Sequence, residues 1–111
     1  MLLKLIFIAY LLIISFLAFS PNNAGINVGG DKTNHILAFT VFTILNFFAF
    51  RKRFFHIFIY GLSFGIFIEF VQYFLPYRDA DIMDILADSI GLVAGVLLLY
   101  MIKDTNEEIK L

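Results

Sequence analysis

The sequence predicts an all-α membrane protein, a bundle of four transmembrane helices. Three observations lead there. The 111 residues are 61% hydrophobic and only 15% charged, with a mean hydropathy of +0.92, too little polar surface for a water-soluble domain of this size. Apolar stretches of bilayer-spanning length recur along the chain. The charged residues gather in short stretches between and at the ends of these runs instead of scattering. The chain has no cysteine, which excludes a disulfide, a thiolate metal site and a Cys nucleophile. Fifteen Phe and no Trp suit lipid-facing and packing surfaces.

The first span is expected over residues 3–19, Leu3 to Phe19, interrupted only by Lys4 and Ser15. A basic residue, an apolar run and then Ala18-Phe19-Ser20 resemble a signal peptide. Pro21 after the cleavage point opposes processing, and the run is longer than a signal core, so a retained helix is expected. The second apolar run, Ile36 to Phe50, is too short to span alone. It reaches spanning length over 32–50, which puts His35 in the first turns and makes Asp31 a candidate N-cap. The third and fourth spans are expected over 54–75 and 82–102. With no linker and no repeat, residues 1–111 read as one integral membrane domain.

Lys and Arg in short loops set orientation. Arg51-Lys52-Arg53 joins spans two and three, and Lys4, Lys103 and Lys110 fall on the same side; only Lys32 and Arg78 fall on the other. The six-to-two split predicts cytoplasmic N- and C-termini, with the loops near residues 21–34 and 76–81 facing outward. The Arg51-Lys52-Arg53 run is a topology signal rather than a nucleic-acid patch, and no nucleic-acid partner is expected.

The polar groups form helical stripes. Gly61, Gly65, Glu69 and Gln72 follow steps of four, four and three; Asp84, Asp88, Gly91 and Gly95 follow four, three and four. Each stripe joins a G-x-x-x-G pair, a close-approach pattern in membrane helices, to a polar pair. Spans three and four are therefore expected to pack glycine against glycine in the cytoplasmic half, with their acids facing each other in the outer half. Asn46, deeper in span two, is expected to bond a neighbouring helix.

The outer end collects Asp31, Glu69, Asp79, Asp81, Asp84 and Asp88, six acids against Lys32 and Arg78, a formal charge of −4 with His35 neutral. Protonation, a metal ion, a cationic ligand or water must balance it. Plainer roles exist for several members: Asp31 and Asp81 as helix caps, Arg78 as a headgroup anchor, Lys32 as a snorkelling side chain, His35 as an interfacial histidine, and Glu69 as an interhelical hydrogen-bonding group.

Three elements in order resemble the VanZ-like family of small bacterial membrane proteins: Asp31-Lys32-x-x-His35, then Glu69-x-x-Gln72, then Arg78, Asp84 and Asp88 before Gly91. The resemblance runs from about Asp31 to Gly95. Asp88 departs from it, because Asn is common there. The resemblance implies a small helical bundle in the bacterial cytoplasmic membrane and, through the family name, an association with resistance to the glycopeptide teicoplanin. It implies no reaction.

Three functions follow from these residues. In the first, Asp31, Lys32, His35, Glu69, Gln72, Arg78, Asp81, Asp84 and Asp88 form an outward-facing site that binds an envelope lipid, a lipid-linked intermediate or a cationic ligand. In the second, Glu69, His35 and Asp84 are the candidate catalytic groups of an intramembrane enzyme, working by acid–base chemistry or through a divalent cation. Ser63 and Ser89 have no triad context. In the third, the acids belong to a proton or cation pathway, for which the cytoplasmic half offers no intramembrane acid. The first is preferred.

Overall fold

A computed structural model describes residues 1–20, 31–76 and 80–102. Four helices follow in order: α1 (Leu2–Phe19), α2 (Asp31–Phe50), α3 (Phe54–Tyr73) and α4 (Ile82–Ile102). There is no strand among the described residues. All four helices are long and apolar enough to cross a membrane, where a helix alone keeps every backbone hydrogen bond within the segment. Arg78, Asp79, Lys103 and Lys110, all part of the charge argument above, lie outside the described residues.

The helix ends follow local chemistry. α2 begins at Asp31 itself. At its other end Arg51 closes the helix in a left-handed conformation, φ 56, donating its N–H to Phe47 O at 2.7 Å. That position usually belongs to glycine. Arg51 is held there with its guanidinium 5.3 and 5.2 Å from the ring centroids of Phe47 and Phe48. α3 stops at Tyr73, two residues short of the expected 75. Pro76 disfavours a helical Leu75, and the last turn tightens, with Phe74 N–H donating to Val71 O and Leu75 N–H to Gln72 O, both 3.0 Å. Asp81 caps α4, its Oδ1 accepting the Met83 N–H at 2.9 Å.

The glycine stripes both lie at helix contacts, but not against each other. A Cβ added at Gly61 would run into Leu92, with Phe42 at 3.1 Å, and one at Gly65 would come within 2.5 Å of the Asp88 carboxylate. The α3 glycines therefore do face α4. Gly91 and Gly95 instead face α2: a Cβ at Gly91 would strike the Ile36 carbonyl and lie 3.0 Å from Phe39 Cβ, and one at Gly95 would lie 2.5 Å from Thr43 Cβ. The expected glycine-to-glycine packing of α3 on α4 is thus corrected to glycine of α4 on backbone of α2. The reason is the slimness of α2 there. Thr40 and Thr43 turn their hydroxyls back onto Ile36 O (2.8 Å) and Phe39 O (3.0 Å) of their own helix. Thr40 Oγ1 also donates to Gly91 O at 3.1 Å across the seam. The Phe-rich α3 meets the next side of α4, through Leu92.

Apolar packing fills the remaining space. Phe39, Phe42 and Phe64 form a mutually touching ring cluster with centroids 5.8–6.0 Å apart, and Phe7 of α1 meets Phe42 edge-on at 5.3 Å. Phe7 is the sole buried residue of α1, so this helix lies at the edge of the bundle. It is tied on by Tyr10 Oη, which donates to Ala38 O at 2.5 Å.

Candidate functional site

The up-and-down course of the helices brings the start of α2, the end of α3 and the start of α4 to one end of the bundle. The Arg51-Lys52-Arg53 turn lies at the other. Into the first end the sequence places Lys32 and His35, Glu69 and Gln72, and Asp81, Asp84 and Asp88.

Asp81 is the hub nearest the surface. Its backbone N–H donates to Glu69 Oε2 at 2.9 Å, its Oδ1 caps α4, and its Oδ2 pairs with Lys32 Nζ at 2.9 Å. The Lys32 ammonium, with the Met83 amide, holds the Asp81 carboxyl below the usual carboxylate range. Such a group stabilises the folded state at neutral pH, and the contribution is lost as pH falls through its lowered value. Being exposed to solvent, it is also screened.

Lys32 links this surface pair to the interior. Its ammonium also bonds Asp84 Oδ1, and Asp84 is buried. Asp84 Oδ2 faces His35 Nε2 at 3.5 Å. On the other side of the ring, His35 Nδ1 lies 2.7 Å from Asp88 Oδ1. His35 thus stands between two aspartates one helical turn apart on α4. A neutral imidazole donates through one nitrogen only, so in that form one carboxylate receives its hydrogen bond and the other faces a lone pair.

Four polar side chains here are almost wholly buried: Glu69 is 6% exposed, Gln72 2%, Asp84 2% and Asp88 0%. Gln72 donates through Nε2 to the Ala18 carbonyl at 2.8 Å, which ties the end of α1 to the site. Glu69 Oε1 and Gln72 Oε1, both buried, have no hydrogen-bond partner. A buried acceptor without a donor costs on the order of 1–3 kcal/mol, a cost that a water, a ligand group, a cation or, for Glu69 beside the Asp84 carboxyl, a shared proton relieves. His35, Glu69 and Asp84 each bring one donor atom into a group spanning no more than 4.8 Å.

The sequence therefore named most of the residues that meet here. Arg78 lies outside the described residues, and for Asp31 the described feature is its place in the helix. Asn46 is buried, in the opposite half, and lines a separate cavity of about 380 Å³ with Phe7, Phe42 and Lys52. The contribution of α1 was not anticipated, because a backbone carbonyl such as that of Ala18 carries no sequence signature. The roles of Thr40 and Thr43 were also missed. Their spacing with Ile36, four and three residues, is the signal that places them on one face.

Lys32→Met tests the ion network. It removes the cation that bridges Asp81 and Asp84 and leaves a buried carboxylate short of its partner. The thermal midpoint in detergent is expected to fall by on the order of 5 °C, against little change for Lys4→Met. Equal midpoints would show that Lys32 only reaches for the membrane surface.

Residues 31–103 match the family described as VanZ/LLP1, a region that starts at the first residue of α2 and leaves out the peripheral α1. Among curated proteins, the chain is 35% identical over 99 residues to "Uncharacterized protein C11E3.10" of Schizosaccharomyces pombe, covering 84% of this chain and 59% of that protein. The chain thus spans less than two thirds of this relative's length, and a relative in a yeast means that this similarity is not confined to bacteria. No solved structure matches. With four helices of membrane-spanning character and a profile match over most of its length, the chain belongs to the VanZ/LLP1 family and is a multi-pass membrane protein.

Proposed function

We propose that this protein binds the polar headgroup of an envelope lipid or lipid-linked intermediate at the acidic end of the bundle. The observation that carries the reading is the pair of buried acceptors, Glu69 Oε1 and Gln72 Oε1, without a donor, inside a cluster whose described acids outnumber its lysine. Such a cluster favours a donor-rich or cationic group over an anionic one. The cluster opens toward the membrane surface, where Lys32 and Asp81 are exposed, so a headgroup reaches it without crossing the bilayer. A teicoplanin link, which the family name suggests, is compatible with a site for lipid-linked wall intermediates.

Lipid retention tests this. Purified in mild detergent and read by native mass spectrometry, the intact chain is expected to carry one lipid class in excess over its share of the membrane. Asp84→Asn should lose that enrichment. Retention in proportion to bulk lipid, unchanged by Asp84→Asn, would sink the proposal.

The second reading, an enzyme acting on the same lipid, is favoured by the Asp84–His35–Asp88 alignment, which suits proton transfer. Conversion of the retained lipid would separate it from binding alone. A cation pathway has less support: among the described residues, the buried acids all sit in one half of the bundle, and the far half offers Thr43 and Asn46.

The site belongs on the outer face of a bacterial cytoplasmic membrane in this reading, with both termini cytoplasmic. The basic turn at Arg51-Lys52-Arg53 supports that orientation. Reporter fusions after Asn23, Arg53, Tyr77 and Leu111 are expected to read outside, inside, outside, inside. An outside signal at Arg53 would turn the site to the cytoplasm.

A further inference from the structure

We propose that His35, Glu69 and Asp84 form a binding site for a divalent first-row metal ion, Zn²⁺ or Mn²⁺, with Asp88 orienting the histidine. The inference rests on the headgroup-binding reading only for its purpose; the geometry stands apart from it. One imidazole and two carboxylates are a borderline donor set that suits Zn²⁺ and Mn²⁺, whereas Mg²⁺ and Ca²⁺ favour oxygen alone.

Four features converge on it. Coordination bonds of about 2.1 Å set neighbouring donors about 3.0–3.4 Å apart, and His35 Nε2 already lies 3.5 Å from Asp84 Oδ2. Glu69, 6% exposed, carries an oxygen with no partner, and a carboxylate oxygen of the same residue falls within the 4.8 Å group. The Glu69 carboxylate, held at one oxygen by the Asp81 N–H, is the donor that has to move inward from within 4.8 Å when the ion binds. The 2.7 Å contact of His35 Nδ1 with Asp88 Oδ1 reproduces the carboxylate–histidine–metal arrangement, in which the outer carboxylate fixes the tautomer and leaves Nε2 as the ligand. Lys32 engages Asp84 through Oδ1, the oxygen not used here.

Charge agrees. Glu69, Asp81, Asp84 and Asp88 against Lys32 leave −3 in the described cluster, and a divalent ion reduces this to −1. Three protein donors leave coordination positions open, so the ion is able to take an anionic phosphate oxygen of a lipid headgroup. That resolves how so acidic a site would hold a phosphate-bearing lipid.

The test uses the full chain in detergent, without an oligohistidine tag, equilibrated with Zn²⁺ or Mn²⁺ in the presence of excess Mg²⁺. Mass spectrometric metal analysis is expected to find about one ion per chain. His35→Gln and Glu69→Gln should each weaken Zn²⁺ binding at least tenfold by calorimetry, and Asp88→Asn by about 10–100-fold. Asn46→Ala, at the far end, should bind as the intact chain does. A readout that needs no variant is the thermal midpoint of the intact chain, which Zn²⁺ should raise and Mg²⁺ should not. Substoichiometric metal, binding that survives His35→Gln and Glu69→Gln, or an unmoved midpoint would overturn the proposal. Selective lipid retention by a chain that binds no metal would remove the ion while leaving the headgroup reading intact.

Discussion

Gly91→Ala is expected to cost about 3 kcal/mol or more, the upper end of overpacking penalties, and to leave little monodisperse protein in detergent. The new methyl would strike the Ile36 carbonyl of α2, and backbone has no torsion with which to step aside. Separating α2 from α4 would also break the Thr40 Oγ1 bond to Gly91 O and draw His35 away from Asp84 and Asp88. Gly61→Ala provides the contrast. Its methyl meets the side-chain ends of Leu92 and Phe42, which have torsions to adjust where a backbone carbonyl has none, so a smaller loss of about 1 kcal/mol is expected. Thermal midpoints of the two variants against the parent measure the difference. A Gly91→Ala protein as stable as the parent would mean that α2 and α4 do not approach at this point.

Glu69→Gln and Glu69→Leu should separate binding from folding. The amide keeps the shape of the carboxylate, and its carbonyl still accepts the Asp81 N–H now bonded to Glu69 Oε2. Expression and thermal midpoint should therefore stay near those of the parent, while selective lipid retention is lost. Leucine leaves the Asp81 N–H without its partner at the start of α4, a loss of about 1–3 kcal/mol, and should reduce both yield and midpoint. Undiminished lipid selectivity in Glu69→Gln would make Glu69 a packing residue whose whole role is to hold the Asp81 amide.

Much of this architecture was legible because a bilayer reduces the choices. A segment of about 20 apolar residues has to be a helix there, so hydropathy and length located all four helices, with Pro76 shortening the third. The spacing of Asp84, Asp88, Gly91 and Gly95 likewise fixed one face of α4, since helical periodicity is a local property. Which neighbour that face meets is not local. The spacing pointed the glycines of α4 at those of α3, yet they meet α2, where Thr40 and Thr43 fold their hydroxyls onto their own backbone and let α4 approach.

The candidate site divides in the same way. The sequence alone determined that the acids within the spans gather at one end, because charge in hydrocarbon is costly and each such residue stands out against an apolar background. Only the tertiary structure decided that His35 stands between Asp84 and Asp88, that Asp81 receives Glu69 through its backbone amide, and that the Ala18 carbonyl takes Gln72. These contacts join residues 12 to 54 positions apart, two of them through backbone groups that every residue carries. Their formation depends on the relative rotation and depth of packed helices, which close packing of the whole bundle sets and no single helix encodes.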